Sequence, residues 1–289
     1  MIDKENISRR TALRGISVMG AVTALGTSLF PRISGVAASK VSAFALIGDR
    51  FHNSDYIRTA LSKTIGEEAG VSIDFTDEVK MLSAETLKKY KMFILFRDGM
   101  LWPSGYIGHY PGYVPGTSPP IVSDPPLPKI EETPKMWMTP EQGKAVKDFV
   151  QNGGVALCYH NCTHVALSNQ DFLDVLGASY IGHPEVRPFK VQITNKSHPI
   201  TKGVNDFVVT DEQHFFKYVK DQKNVFMKSI NTDGKAFEKQ GTSCEAGWAH
   251  EYGKGRVCFM APGHMIPVLW NSEFVKVQHN AVKWLLGEI

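Results

Sequence analysis

Cysteine is scarce in this sequence, and all four cysteines lie after residue 157. Because none stands near the N-terminus, a lipid anchor on a leading cysteine is not expected. Cys158 and Cys162 are four positions apart and therefore lack the Cys-x-x-Cys spacing of a redox motif. Cys158 and Cys258 lie in apolar runs, so we expect small buried thiols there rather than disulfides.

Beyond residue 38 the sequence also lacks an excess of positive or negative side chains. The chain has a formal charge of +3, and residues 1–38 account for it with five basic and two acidic side chains. The rest of the chain is close to neutral and has no basic stripe, which argues against a nucleic-acid partner. No internal repeat and no nucleotide-cofactor motif is present. A small neutral or weakly charged partner fits this composition better.

Residues 1–38 have the layout of an export signal. Arg9 and Arg10 follow Ser8, an uncharged and moderately apolar run covers residues 15–30, and small residues lead to Ala38. This arrangement predicts a twin-arginine signal that is cleaved near Ala38 and a periplasmic mature protein. The alternative is an ordinary membrane anchor, but the run is short for a spanning helix. We therefore expect membrane contact only through this segment and the export machinery.

Residues 39–289 have the pattern of one α/β domain. Apolar runs such as "VSAFALIG", "KMFILFR" and "VALCYH" alternate with helical segments such as "TPEQGKAVKDFVQNGG". Buried runs that alternate with helices indicate a mostly parallel sheet with helices on both faces. The predicted order is βαβαβ, an insertion at 101–138, αβαβ, a strand-rich region and a closing helix.

The insertion at 101–138 contains nine prolines and a group of aromatic side chains. A long loop beside a sheet edge is often a lid, and flat aromatic rings with polar tips suit sugar rings. A packing arm or a homodimer contact is the alternative. Trp248 and Trp270 are candidates for the same pocket. The predicted sugar contacts within the insertion are Trp102, Tyr106, His109 and Tyr110.

Several histidines follow predicted strands. His52 comes after the first strand, His160 ends "VALCYH", His264 ends "CFMAPGH", and the segment 211–214 reads Asp-Glu-Gln-His. Ligands of α/β sheets bind beyond the carboxyl ends of the strands, so we expect these segments to converge. His160 stands where a strand-to-helix turn would present a nucleophile. Imidazole is a poor acyl nucleophile but suits proton transfer or metal binding.

Five segments together resemble the trehalose-utilisation (ThuA-like) family: "GGVALCYHNCTH", "FLDVLGASYIGHP", "NKSHPITKGV", "VTDEQHFF" and "AHEYGKGRVCFMAPGH". The resemblance covers roughly residues 41–288. It implies a flavodoxin-like, class I glutamine-amidotransferase-like three-layer sandwich. It also implies that site residues match His52, His160, His183 and His264, with Asp211 and Glu212. Amidotransferases have cysteine where His160 stands, which argues against glutaminase activity.

The resemblance further implies an enzyme of carbohydrate catabolism that acts on oxidised, 3-keto glycosides or disaccharides. A ketone at C3 acidifies the C2 hydrogen, so a base can remove it, expel the glycosidic group, and let water add. We expect base and acid work from His160, Glu212 and His264, and substrate contacts from Asp211 and His214. A divalent metal such as zinc, with His52 and His160 as ligands, would polarise the ketone. The alternatives are a non-catalytic sugar-binding envelope protein and a metal-dependent hydrolase of a non-sugar substrate.

Overall fold

A computed structural model describes residues 41–101, 124–126 and 135–289. These residues belong to one compact unit, Ser39–Ile289. The predicted export signal at 1–38 lies outside the described residues. The same holds for four of the predicted sugar contacts: Trp102, Tyr106, His109 and Tyr110.

A nine-stranded sheet forms the centre of the unit, and two small two-stranded sheets accompany it. In the described residues the strands, in chain order, are β1 Val41–Ile47, β2 Val71–Thr76, β3 Met92–Phe96, β4 Met100–Leu101, β5 Lys135–Met136, β6 Val155–Tyr159, β7 Ala178–Gly182, β8 Arg187–Ile193, β9 Phe207–Asp211, β10 Phe215–Tyr218, β11 Val225–Asn231, β12 Ser243–Tyr252 and β13 Gly255–Met260.

The large sheet has the order β2-β1-β3-β6-β13-β12-β11-β8-β9. The first five strands are parallel to one another, with pairs such as Ala43↔Met92 and Cys258↔Leu157. From β13 to β9 every neighbouring pair is antiparallel. The predicted α/β sandwich with a mostly parallel sheet is confirmed, and the strand-rich end of the sequence supplies the antiparallel continuation.

Helices cover the sheet and begin at residues that suit helix starts. Thr139 caps its helix with a capping box to Gln142, and Pro140 stands at the first helical position. Asn53 and Asn271 cap two others with their side chains. The helix that Asn53 caps is α-helical over Ser54–Leu61 and continues as a π-helix over Ser62–Glu67. The α-helices are α1 Ser54–Leu61, α2 Ala84–Leu87, α3 Pro140–Gln151, α4 Gln170–Leu176, α5 Ile266–Leu269 and α6 Ser272–Leu286.

The central parallel strands are buried on both faces. All five residues of β3 and all five of β6 are buried, as expected where helices cover both sides of a sheet. All four cysteines are buried and none forms a disulfide. No helix in the described part of the chain is long and apolar enough to cross a membrane.

The strand order places four chain turns side by side. Strands β1, β3, β6 and β13 are consecutive and parallel, so their carboxyl ends lie along one edge. Gly48 follows β1 and has a φ of +80°, and a Cβ there would lie 2.6 Å from Ser54 Cβ. The chain can therefore turn tightly into α1 only because residue 48 lacks a side chain. The resulting turn carries Asp49 and His52 over the sheet edge.

The insertion begins and ends in a short antiparallel pair. Met100 pairs with Met136 and Leu101 with Lys135. The indole Nε1 of Trp137 donates to the carbonyl oxygen of Asp98 at 2.7 Å. The two ends of the insertion are therefore fixed close to the carboxyl end of β3.

Candidate functional site

A cluster of histidines surrounds the carboxylate of Glu212. Its Oε2 lies 3.2 Å from His214 Nε2, 3.3 Å from His160 Nε2 and 3.3 Å from His264 Nδ1. The fourth imidazole is that of His183, whose Nε2 is 3.6 Å away. The segments around residues 160, 212 and 264 therefore converge, as the sequence predicts.

His52 joins this cluster from the turn after β1. Its Nδ1 donates to Asp49 Oδ1 at 2.9 Å, and both side chains are buried. Its Nε2 lies 3.0 Å from Nδ1 of His264. A histidine whose Nδ1–H is held by a carboxylate presents the Nε2 lone pair in a fixed direction, as metal-binding histidines commonly do.

Asp49 also connects the neighbouring turns. Its Oδ2 accepts the backbone N–H of Asp98 at 2.8 Å and the Asn161 side-chain amide at 2.6 Å. Burial works against its charge, but the charge and hydrogen bonds of His52 hold the pKa of the Asp49 carboxyl at about 2. Asp49 is thus a buried carboxylate that ties together the ends of β1, β3 and β6.

His160 stands at the tip of the turn after β6 and has a φ of +49°. Left-handed backbone is uncommon for a residue with a side chain and points to a functional constraint. The ring is fully buried, and its Nδ1 donates to the carbonyl oxygen of Ala261 at 2.7 Å. Its Nε2 makes no hydrogen bond to the described residues and is directed at Glu212.

Asp211 positions the loop that carries His264. Its Oδ2 accepts the backbone N–H groups of Gly263 at 2.7 Å and of His264 at 3.3 Å. Gly263 passes against His160, and a Cβ there would lie 3.1 Å from His160 Cβ and 2.8 Å from Phe96 Cζ. This close approach needs glycine and brings His264 within reach of Glu212.

Charge is distributed unevenly in the cluster. Burial opposes ionisation of Glu212, but its contacts with His160, His214 and His264 hold its pKa far below the ordinary value. Burial lowers the pKa of His160 and, more strongly, that of His214. For His264, burial is outweighed by the contact with Glu212, and its pKa is raised. Glu212 is therefore an ionised carboxylate beside the neutral imidazoles of His160 and His214.

These residues fit a divalent cation. Oxygen or nitrogen ligands about 2.0–2.1 Å from a tetrahedral zinc ion are separated from one another by roughly 3.3 Å. The corresponding separations here are 3.0 Å between His52 and His264 and 3.3 Å from Glu212 to His160 and to His264. The four ligand atoms all lie within 4.8 Å of one another. The lone pair of the buried His160 Nε2 would gain the partner that it lacks. A second ligand set shares Glu212 and adds His183 and His214.

A cavity of about 410 Å³ opens beside the cluster. This volume lies within the range of small-molecule sites. In the described part of the chain, four of its lining residues belong to the candidate ligand sets: His52, His183, Glu212 and His214. The other lining residues are Phe51, Asp98, Asn161, His164 and Tyr180.

The predicted substrate contacts are only partly at this cavity. His214 lines it, whereas Asp211 is fully buried and holds the backbone at residues 263–264. The prediction for Trp248 is wrong, because its fully buried ring stacks on Phe259 and donates to the Leu176 carbonyl. Trp270 is 38% exposed, has Lys63 over its ring and does not line the cavity.

The sequence interpretation missed six residues that contact the cluster or line the cavity: Asp49, Phe51, Asp98, Asn161, His164 and Tyr180. Asp49 and Asp98 come directly after buried strands, and this position was the sequence signal that could have assigned them to the site. Asn161 follows His160 in the turn, and Tyr180 lies on β7, a strand that the sequence pattern did not reveal.

Comparison with known proteins gives a family and a fold. The sequence profile described as ThuA, trehalose utilisation, matches residues 128–285. A ThuA-like protein from Bacteroides uniformis ATCC 8492 superposes with a TM-score of 0.58 and 14% identity, covering 89% of this chain and 95% of that chain. A ThuA-like protein from Parabacteroides merdae ATCC 43184 superposes with a TM-score of 0.57 and 13% identity, covering 85% and 89%. No curated protein matches the sequence.

Proposed function

The chain belongs to the ThuA trehalose-utilisation family, and we propose that, within this carbohydrate-related role, it is an enzyme that acts on 3-keto glycosides or disaccharides. The observation that carries the proposal is the Glu212-centred histidine cluster on the wall of a cavity of about 410 Å³. A sugar ring is mostly polar and uncharged, which agrees with a chain that is close to neutral beyond residue 38.

The reaction that suits this site is elimination followed by hydration. In a 3-keto glycoside the hydrogen at C2 is acidic because the ketone stabilises the resulting enolate. Loss of that proton and of the glycosidic oxygen at C1 gives an unsaturated ketone, and water then adds to C1. The chemistry needs a group that polarises the C3 oxygen and a group that moves the proton.

The cluster is suited to the first of these needs. We propose that His52, His160, Glu212 and His264 hold a divalent cation such as zinc. When bound, such a cation supplies Lewis-acid polarisation of the ketone oxygen. Asp49 keeps the His52 ring in the ligating tautomer, and Asp211 keeps His264 in place. This assigns a ligand role, rather than proton transfer, to His160, Glu212 and His264.

We also propose that the protein is exported by the twin-arginine pathway and acts in the periplasm. The support for this is the Arg9-Arg10 pair and the uncharged run at 15–30. Fusion of residues 1–38 to a reporter that is active only after export tests it. The expected result is export that is abolished by the double change Arg9→Lys and Arg10→Lys. Retention of the wild-type fusion in the cytoplasm would contradict it.

The activity is tested with purified protein and 3-keto-trehalose or a 3-keto-glucoside, before and after treatment with a chelator. We expect turnover that the chelator removes and that added zinc restores. His160→Ala should be inactive and should contain substoichiometric metal. Stoichiometric metal without turnover of either sugar would favour a metal-dependent hydrolase of a non-sugar substrate. Absence of both metal binding and turnover would favour a sugar-binding protein without catalysis.

A further inference from the structure

One cavity-lining histidine stands apart from the cluster. The cavity is lined by His52, His164, His183 and His214. The other three belong to the candidate ligand sets around Glu212, whereas His164 belongs to neither. We propose that His164, held by Asp98, is the catalytic residue that moves the proton in this reaction. This inference rests on the proposed function.

The pair of Asp98 and His164 is well anchored. His164 Nδ1 lies 3.3 Å from Asp98 Oδ1. Asp98 is fixed at its backbone N–H by Asp49, at its carbonyl by Trp137 and at Oδ1 by the N–H of Met100. A Cβ at Gly99 would lie 2.9 Å from the backbone carbon and oxygen of His164, so glycine permits the two segments to meet. The distance between His164 Nδ1 and Asp98 Oδ1 is long for a hydrogen bond. Catalytic hydrogen bonds are often long in the absence of a ligand and shorten when substrate binds.

Its exposure distinguishes His164 from the clustered residues. The side chain of His164 is 24% exposed, whereas that of His160 is fully buried behind Glu212. A sugar in the cavity can touch His164 without displacing the cluster. Because Nδ1 faces Asp98, Nε2 is the ring nitrogen that is left for a ligand. The ring also meets the edge of Tyr180 at a centroid distance of 5.5 Å, which limits its rotation.

The clustered imidazoles are poorly suited to carry a proton. Those that hold a cation have their lone pairs engaged, and His160 Nδ1–H is already donated to Ala261. Even without a cation, Glu212 is engaged with four imidazoles and its pKa is far below the ordinary range. The reaction therefore needs a separate base, and His164 is the cavity-lining histidine that belongs to neither ligand set.

A single imidazole can carry out all the proton transfers of this reaction. Neutral His164 takes the C2 proton on Nε2, the C2–H electron pair forms the C1=C2 double bond, and the C1–O bond breaks. His164 then returns the same proton to the departing glycosidic oxygen, so the leaving group departs as an alcohol. For hydration, the imidazole takes a proton from water as its oxygen adds to C1, and a proton returns to C2. Asp98 keeps Nδ1 as the protonated nitrogen throughout.

The test compares His164→Gln and His164→Ala with His279→Gln. His279 is a matched control, because its side chain is 26% exposed, its Nε2 lies 3.3 Å from the Glu68 carboxylate, and it does not line the cavity. We expect His164→Gln to lower kcat by about 10²–10⁴-fold with little change in KM. Bound zinc, measured by elemental analysis, should stay at the wild-type level. Imidazole in the buffer should restore part of the activity of His164→Ala, and His279→Gln should match wild type.

The outcomes separate this inference from the proposed function. If the wild-type protein turns over 3-keto-trehalose and the kcat of His164→Gln is within a factor of two of the wild-type kcat, the inference is overturned and the proposed function stands. Loss of bound zinc in step with activity would also overturn it, because His164 would then be a ligand. No turnover by the wild-type protein on 3-keto-trehalose or a 3-keto-glucoside would overturn the proposed function and this inference together.

Discussion

Asp49 and His52 form a buried hydrogen-bonded pair, with 2.9 Å between Asp49 Oδ1 and His52 Nδ1. The second oxygen of Asp49 holds the turns after β3 and β6 through Asp98 N–H and the Asn161 amide. One carboxylate thus sets both the tautomer of a candidate ligand and the relative position of three strand ends.

Changing Asp49 to asparagine is expected to weaken zinc binding by about 10–100-fold. An amide N–H facing His52 Nδ1 would favour the tautomer with hydrogen on Nε2, which removes the lone pair that faces His264. Titration calorimetry of metal-free protein with zinc measures the effect. Asp55→Asn is the control, because Asp55 is exposed and pairs with Arg58. Equal affinities of Asp49→Asn and wild type would contradict the assigned role.

The fold was largely predictable because its parallel half has a strong sequence signal. Strands buried on both faces give continuous apolar runs, as in β3 and β6. The small sheet of β7 and β10 was not predictable from the pattern. Its strands are short, each has a single partner, and β7 is only half-buried. Their pairing depends on contacts between distant parts of the chain.

The site was predictable where histidines follow strands, because the sheet geometry itself brings strand ends together. Asp49 and Asp98 were missed because a carboxylate after a strand is commonplace, and only the three-dimensional contacts single these two out. Trp248 was assigned to the pocket because aromatic residues suit sugars. Strand β12 lies between β11 and β13, and five of its consecutive residues, Ala246–His250, are buried. A buried tryptophan therefore fits this strand better.

Glu212→Gln is expected to abolish the stabilisation that zinc gives to the wild-type protein. At a free zinc concentration of 100 times Kd, the folded state gains about 2.7 kcal/mol. For a domain of this size that corresponds to a rise in Tm of roughly 5–10 °C. Thermal unfolding with zinc and with chelator measures this difference. Glu245→Gln is the control, since its side chain is 17% exposed against 13% for Glu212. A zinc-dependent shift that persists in Glu212→Gln would exclude this carboxylate as a ligand.

Trp248→Phe is expected to lower stability without changing substrate affinity. The change removes the hydrogen bond from Nε1 to the Leu176 carbonyl and leaves a space beside Phe259. A buried acceptor without a partner and a small cavity together cost about 1–3 kcal/mol. Urea unfolding gives the stability and steady-state kinetics give KM. A large rise in KM at unchanged stability would instead return Trp248 to the list of substrate contacts.

His250 is expected to make stability depend on pH. It lies on β12, its Nε2 donates to the Val175 carbonyl at 2.9 Å, and burial lowers its pKa from 6.5 to about 4. Below about pH 6.5 the unfolded chain binds a proton at this residue, whereas the folded chain does so only below about pH 4. The free energy of unfolding therefore falls as the pH falls through this window.

The change His250→Gln isolates this contribution, because a glutamine amide can still donate to the Val175 carbonyl but does not titrate. Between pH 7 and pH 5 the wild-type protein should lose about 2 kcal/mol more than the variant, at about 1.4 kcal/mol for each pKa unit. Urea unfolding in chelator at both pH values measures the two losses without interference from metal binding at the cluster. Equal losses would mean that the imidazole of His250 accepts its proton in the folded and unfolded chains alike, against its buried position.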